Sequence, residues 1–348
     1  MKILLISPKA PPVGGIATWT EAFLNSSYIK KNDVDLINIA VTGKRKEIVY
    51  KYNILEELVR FVKILKELKK SLKNSKYHVI HINSSCSKMG LIREYLCVKM
   101  ASKTNAKLII HFHCDMTYMI KNKIQENLVK KILKKVNKVF VLNTVSLKYV
   151  KELNETVDAR IVPNFIENEK VIENDKIINK EVKNAIYVGR VSFEKGCDII
   201  FKIADKFPKI RFKLIGQISD EFKKIEKIEN VELLGEKDNQ YVLEELKNAD
   251  LFIFPTHTEG FPCALLEAMA QGVPIITTPV GAIPDMIEDT GGIYCQVNNE
   301  KEFECAIKKI QYDYDLKKKM SKWNVNKVLN NYTKEIVVKK ILKLYREA

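Results

Sequence analysis

The sequence predicts an α/β protein made of two parallel-sheet domains in tandem, and three observations carry that reading. Short apolar runs alternate with helix-period segments from one end to the other, the pattern of a parallel sheet with helices on both faces. The alternation pauses in a polar stretch, Glu167 to Lys183, and then starts again, so that stretch is the expected interdomain linker. At 348 residues the chain is long for one domain and ordinary for two.

In the first half the apolar runs place strands at 2–7, 34–40, 78–83, 107–113, 138–143 and 159–163. Between them the periodicity predicts helices at 16–25, 54–73, 89–103, 124–136 and 144–152. The opening run Lys2-Ile-Leu-Leu-Ile-Ser7 is too short an apolar block for a signal peptide and reads as the first strand. The second half repeats the scheme, with strands at 184–189, 211–215, 231–234, 250–255, 274–278 and 292–295. Its helices are expected at 197–206, 239–248, 262–271, 300–311 and 314–330, and one more helix, about 334–346, follows.

Bulk composition narrows the function classes. An apolar content of 46% supports two full cores, and no apolar run approaches the length of a membrane span. The seven cysteines are scattered, odd in number and free of any Cys-x-x-Cys, which points to reduced thiols, a cytoplasmic setting and no zinc site. The net charge of +16 is uneven: residues 1–165 hold 30 Lys and Arg against 13 Asp and Glu, while the remainder is close to neutral. Such asymmetry suggests an acidic partner for the first half: nucleic acid, anionic lipid or an anionic substrate. No aromatic-basic platform supports nucleic acid. The segments Lys63–Lys76 and Lys121–Lys138 are amphipathic and basic. In the first helix, Leu55, Leu58, Val62, Leu65, Leu68 and Leu72 form one stripe, which is either core-facing with a solvated basic back or part of a surface facing anionic lipid.

Four segments carry candidate chemistry. After the strand Leu251–Phe254 comes Glu259-Gly260-Phe261-Pro262-Cys263-Ala264-Leu265-Leu266-Glu267. Carboxylates at the end of a parallel strand, before a helix, stand where open α/β sheets bind ligands. Pro262 suits the first turn of that helix and Gly272 its end, so free N–H groups and the positive helix end favour a phosphate there. The two Glu would be about 12 Å apart on a helix, too far for a retaining glycosidase pair, which needs about 5 Å; they read as two binding arms. Pro11-Pro12-Val13-Gly14-Gly15 follows the first strand and opens a helix; it is either a simple turn or a backbone approach to a ligand, and it lacks the dinucleotide fingerprint. Gly189-Arg190-Val191-Ser192-Phe193-Glu194-Lys195-Gly196 follows a strand and offers either two solvated cations or a diphosphate clamp. His111 and His113 share one face of a strand, with His113 nearer its end. The options for His113 are a base, a polar contact, a satisfied structural histidine or, least supported, a metal ligand.

Taken together these segments resemble the retaining, nucleotide-sugar-dependent glycosyltransferases of the GT-B fold, family 4, over nearly the whole chain. The Glu-x7-Glu segment with Leu-Glu-Ala-Met-Ala-x-Gly-x-Pro is the specific part, and Gly-Arg…Glu-Lys-Gly supports it. The resemblance implies two Rossmann-like domains facing a central cleft, residues 1–166 with 333–348 for the acceptor and residues 167–332 for the nucleotide sugar, the last helix crossing back to the first domain. It implies that Gly14, Gly15, Gly189, Arg190 and Lys195 hold the diphosphate, that Glu267 bonds the ribose, and that Glu259, with Gly260, Phe261 and Leu266 around it, meets the transferred sugar. His113 matches the acceptor-side histidine. Pro163-Asn164-Phe165-Ile166-Glu167 departs from the family's Pro-Asn-Gly-hydrophobic-Asp, and Gly281-Ala282, with Asp285, from its Gly-Gly loop.

The expected activity is therefore transfer of a sugar, with retention, from a nucleotide-diphosphate sugar, UDP-linked by expectation, to a hydroxyl of a lipid-linked or polysaccharide acceptor in cell-surface glycan synthesis. No metal or further cofactor is expected, because no Asp-x-Asp stands at a strand end. The expected place is the cytoplasm, peripheral on the inner membrane face. The alternatives are a GT-B-fold nucleotide-sugar epimerase and a catalytically silent sugar-nucleotide-binding subunit; retention of both Glu and both cations speaks against the second.

Overall fold

The computed structural model describes residues 1–12, 14–40 and 54–348. The chain divides into two compact units, Met1–Asn164 with Lys334–Ala348, and Phe165–Thr333. The first unit runs β1 (Lys2–Ser7), α1 (Gly15–Leu24), β2 (Asp33–Asn38), α2 (Ile54–Asn74), β3 (Val79–Ser84), α3 (Lys88–Ala101), β4 (Lys107–Phe112), α4 (Met116–Met119), α5 (Lys123–Leu133), β5 (Lys138–Val141), α6 (Thr144–Leu153) and β6 (Asp158–Ile161). The second contains β7 (Asn184–Val188), α7 (Cys197–Ala204), β8 (Arg211–Ile215), β9 (Val231–Gly235), α8 (Asn239–Asn248), β10 (Leu251–Phe254), α9 (Cys263–Ala270), β11 (Ile275–Thr277), α10 (Ile283–Ile287), β12 (Gly292–Tyr294), α11 (Glu300–Tyr312) and α12 (Tyr314–Asn331). The last helix, α13 (Lys334–Arg346), belongs to the first unit.

Each unit is built on a six-stranded sheet whose neighbouring strands all run parallel. The central strands are buried on both faces because helices cover both: β3 and β10 are buried at every position, β10 with an all-apolar run and β3 with His81, Asn83 and Ser84 among its residues. Polar caps start the helices: the side chains of Ser87, Asn122, Asn143 and Asp238 accept from backbone N–H groups in the first turns of α3, α5, α6 and α8.

Strand order places the sites. In the first sheet it is β2-β1-β3-β4-β5-β6, and in the second β12-β11-β10-β7-β8-β9. Order reverses between β1 and β3 in one and between β7 and β10 in the other. Loops leaving the carboxyl ends of such a pair diverge, opening the crevice in which open α/β sheets bind ligands. The segments after β1, β7 and β10 are three of the four singled out in the sequence.

Several expectations need correction. The stretch from Glu167 to Lys183 is no free linker. Val171 and Val182 are buried, Ile172 N–H donates to Ala270 O, and Lys317 Nζ donates to the carbonyls of Asn179 and Lys180, so the segment is strapped onto the second unit. The apolar stripe of α2 is core-facing only in part: Ile64 and Leu68 are buried, Leu65 and Leu72 pack partly against the core, but Leu55, Leu58 and Val62 are exposed. A helix of 21 residues is about 31 Å long, whereas six-residue strands span about 20 Å, so one end overhangs. Lys138 begins β5 as the expected strand at 138–143 has it, but as the end of a basic segment it is buried, not solvated, and lies 2.5 Å from Asp158. Pro262 stands at the N-cap of α9 and not inside its first turn. The short helices α4 and α10 escaped prediction because four or five residues show no helical period.

Candidate functional site

In the second unit two loops meet over the β7–β10 reversal. After β7 the chain passes Gly189 and Arg190, makes a single 3-10 turn at Phe193–Lys195, and enters α7 through Gly196. Gly196 has φ +67°, and a Cβ there would lie 2.0 Å from the Pro255 carbonyl oxygen. Only glycine lets the two loops come this close. After β10 the chain runs through Thr256 and Glu259 to α9. This loop is pressed from the other side by Gly281, φ +55°, where a Cβ would lie 1.6 Å from Glu259 O. Thr278 Oγ1 donates to Thr256 O at 2.5 Å, so the loop after β11 also holds the loop after β10.

This packing brings Lys195 and Glu259 together. Lys195 Nζ donates to Glu259 Oε1 at 2.7 Å and to Thr258 O at 3.1 Å, and Thr256 Oγ1 donates to the same carboxylate at 3.2 Å. Desolvation still outweighs these partners and raises the Glu259 carboxyl above its usual range. Glu267, on α9, accepts from Asn239 Nδ2 at 2.7 Å and is raised by the same cause. Arg190 is exposed, and no carboxylate among the described residues lies within ion-pair distance of it; its carbonyl is fixed by the Tyr187 hydroxyl at 2.8 Å. Phe261 is buried edge-on against Tyr332, and Leu266 is buried in α9. Both side chains anchor the loop and helix. No local pattern marks Asn239, Thr256 or Thr278, ordinary polar residues whose partners come from loop proximity.

In the first unit Gly14 is the N-cap of α1, extended at φ −175°, and an added Cβ at Gly14 or Gly15 would meet nothing within 4 Å among the described residues. Neither backbone geometry nor packing demands glycine at Gly14. His113, half-buried, follows β4, and its Nε2 lies 3.1 Å from Asn83 Oδ1. His111 and His113 do share a face, with ring centroids 3.9 Å apart, and His81 and Trp19 complete an aromatic cluster around them. Burial pulls the His113 imidazole down to about 3, opposed by a hydrogen bond with Asn164, and lowers His81 and His111 as well. His113 is therefore neutral at ordinary pH and can accept or donate one hydrogen bond per ring nitrogen. Asn164 lies in the segment whose role the sequence left open. Among the described residues no group of three or more His, Cys, Asp or Glu could hold a metal ion.

Two Rossmann-like units, each with its loop cluster at a strand-order reversal, define the class: the fold is that of the GT-B glycosyltransferases. Residues 168–326 match the family model described as glycosyl transferases group 1. An uncharacterized 41.2 kDa protein from the cps region of Klebsiella pneumoniae is 28% identical over 302 residues, 79% of this chain and 81% of that one. The N,N'-diacetylbacillosaminyl-diphospho-undecaprenol alpha-1,3-N-acetylgalactosaminyltransferase of Campylobacter jejuni is 25% identical over 249 residues, 69% of this chain and 63% of its own. The crystal structure of Anabaena HepE in complex with UDP-glucose superposes with a TM-score of 0.77 at 15% identity, covering 100% of both chains. Relatives of this chain thus include glycosyltransferases of group 1.

Proposed function

We propose that this protein is a retaining glycosyltransferase that moves a sugar from a UDP-linked donor to a hydroxyl of a lipid-linked or polysaccharide acceptor during cell-surface glycan synthesis. The observation that carries the reading is the loop pair over the β7–β10 reversal, where Lys195, Glu259 and the start of α9 converge within the segment matching the group 1 model. The relatives support the proposed substrate class: one is a transferase onto a diphospho-undecaprenol acceptor by name, and one neighbour is seen with UDP-glucose.

In this reading Phe165–Thr333 holds the donor and the first unit holds the acceptor. Arg190 and Lys195, with the backbone at Gly189, bind the diphosphate through charge-assisted bonds and free N–H groups. Glu267 bonds the ribose hydroxyls, and Glu259 accepts from hydroxyls of the transferred sugar. The acceptor hydroxyl attacks on the face from which the diphosphate departs, which retains the anomeric configuration. Catalysis then consists of positioning and of stabilising the charge that grows on the leaving diphosphate, with no metal required. His113, neutral and at the end of β4, offers a polar contact to an acceptor held by the first unit.

The basic first unit suits an anionic surface. Lys63, Lys66, Lys69, Lys70 and Lys73 of α2 are exposed, and so are Leu58, Val59 and Val62 on the overhanging end. Juxtaposed cations and apolar side chains favour peripheral attachment to an anionic inner membrane face, where a lipid-linked acceptor is presented. No described helix is long and apolar enough to cross a membrane. An epimerase of the same fold is not favoured, because the relatives with named activities are transferases.

A thermal-shift screen of nucleoside diphosphates and their sugars, run in excess chelator, tests the reading. A bound nucleotide raises the melting temperature by mass action. A rise with uridine diphosphate under chelation is expected; no response to any member would overturn the donor assignment, and a response only after added magnesium would overturn metal independence.

A further inference from the structure

A line of polar side chains runs behind His113. Thr20, on α1, donates its hydroxyl hydrogen to Ile16 O at 2.8 Å. Its oxygen lies 2.5 Å from Ser7 Oγ, at the end of β1. Since Thr20 has spent its hydrogen, Ser7 must be the donor between them. Ser7 Oγ in turn accepts from Asn83 Nδ2 at 2.8 Å. That fixes the Asn83 amide, so its Oδ1 is the atom facing His113 Nε2 at 3.1 Å. Turning the amide over would leave Ser7 and Thr20 oxygens at 2.5 Å with no hydrogen between them, unless Thr20 gave up the Ile16 carbonyl.

A carbonyl oxygen cannot donate, so Nε2 of His113 carries the ring hydrogen and Nδ1 carries the lone pair. We infer that Asn83 is a positioning residue: through Ser7 and Thr20 it locks His113 as the Nε2–H tautomer and leaves Nδ1 as the ring's acceptor, which a substrate hydroxyl would share with or take over from Asn164. The inference rests on the transferase reading only for that last role. It also ties the ring to β1 and α1. Ser7 and Asn83 are buried, which excludes water as a competing partner. The groups facing the ring are His111 from its own strand, His81 from β3, Trp19 from α1 and Asn164, none charged at neutral pH.

Long-range proton–nitrogen spectra of the whole chain labelled at histidine test this directly. At pH 7 the His113 ring of the wild type should be neutral with Nε2 protonated. Asn83→Asp puts a carboxylate where the amide was. The titration midpoint of His113 should then rise by roughly one to three pH units, the acid limb of the kcat profile should move with it, and the dissociation constant for uridine diphosphate should not change. An Nδ1–H ring in the wild type, or an unmoved titration in Asn83→Asp, overturns the inference. Should that variant fold poorly, Ser7→Ala frees the amide to turn, and both tautomers should appear; a single unchanged tautomer again overturns it. The spectra need no donor. A wild type that turns over no nucleotide sugar would refute the transferase reading and the hydroxyl-accepting role, while the tautomer would still decide the positioning claim.

Discussion

Acidification should destabilise the first unit by an amount set by its buried imidazoles. His81 and His111 are fully buried, and burial lowers both, His81 to about 3 and His111 well below its usual range. An imidazole in the unfolded chain titrates near 6.5. Between those values the unfolded chain takes up protons that the folded unit refuses, so the stabilisation is complete above about pH 6.5 and is lost as pH falls towards the folded value. One pH unit below 6.5, each imidazole costs between roughly 1 and 2 kcal/mol, and with His113, also held down to about 3, the three together cost on the order of 4 kcal/mol. For a unit of this size that is a fall of roughly 8–16 °C in melting temperature. The assay is urea unfolding at pH 7.5 and 5.5 in a Trp323→Phe background, so that Trp19, whose ring lies 5.9 Å from His81, reports alone. His81→Gln removes one titrating ring, and its loss of stability between the two pH values should be smaller than the wild type's by one imidazole's share. The buried Glu94 carboxyl is raised by desolvation and acts with the opposite sign, but it is common to both proteins and cancels in the difference. Equal losses in the two proteins would refute the reasoning.

Two further outcomes follow from the second unit's site and the first unit's surface. Glu267→Ala should weaken free uridine diphosphate, whereas Glu259→Ala should spare it and weaken the whole sugar donor; dissociation constants for both ligands in both variants decide, and the reverse pattern would swap the roles. Sedimentation with vesicles should rise with anionic lipid and fall at high salt, since each basic residue near the surface contributes on the order of 1 kcal/mol; changing Lys66, Lys69, Lys70 and Lys73 to Glu should reduce it without altering nucleotide affinity, and a wild type indifferent to anionic vesicles would sink the membrane assignment.

The fold was legible because parallel strands buried on both faces leave apolar runs with little else to be, as β1 and β10 show. Segments near strand ends were legible for a related reason: glycines such as Gly196 and charged residues such as Glu259 interrupt an otherwise apolar pattern. What the sequence could not carry was partnership. Lys195 and Glu259 are 64 positions apart and meet at 2.7 Å only because Gly196 and Gly281 let backbones touch. Asn83 and His113 meet through the pairing of β3 with β4, and no local pattern marks Asn83 as special. The stripe of α2 failed for a geometric reason, since periodicity gives the face of a helix but not how far the sheet beneath it extends. Glu167 to Lys183 looked like a linker because its contacts are made largely by backbone carbonyls and a Lys317 side chain far along the chain.

Calorimetric titration of uridine diphosphate into the wild type, Arg190→Ala and Lys195→Ala tests the central claim most directly. The wild type should bind, and each variant should lose affinity by roughly tenfold to a hundredfold or more, because each removes a charge-assisted bond of about 1.5–3 kcal/mol. Unchanged affinity in both variants, or no binding by the wild type, would contradict the assignment of the β7–β10 loops to a nucleotide-sugar donor.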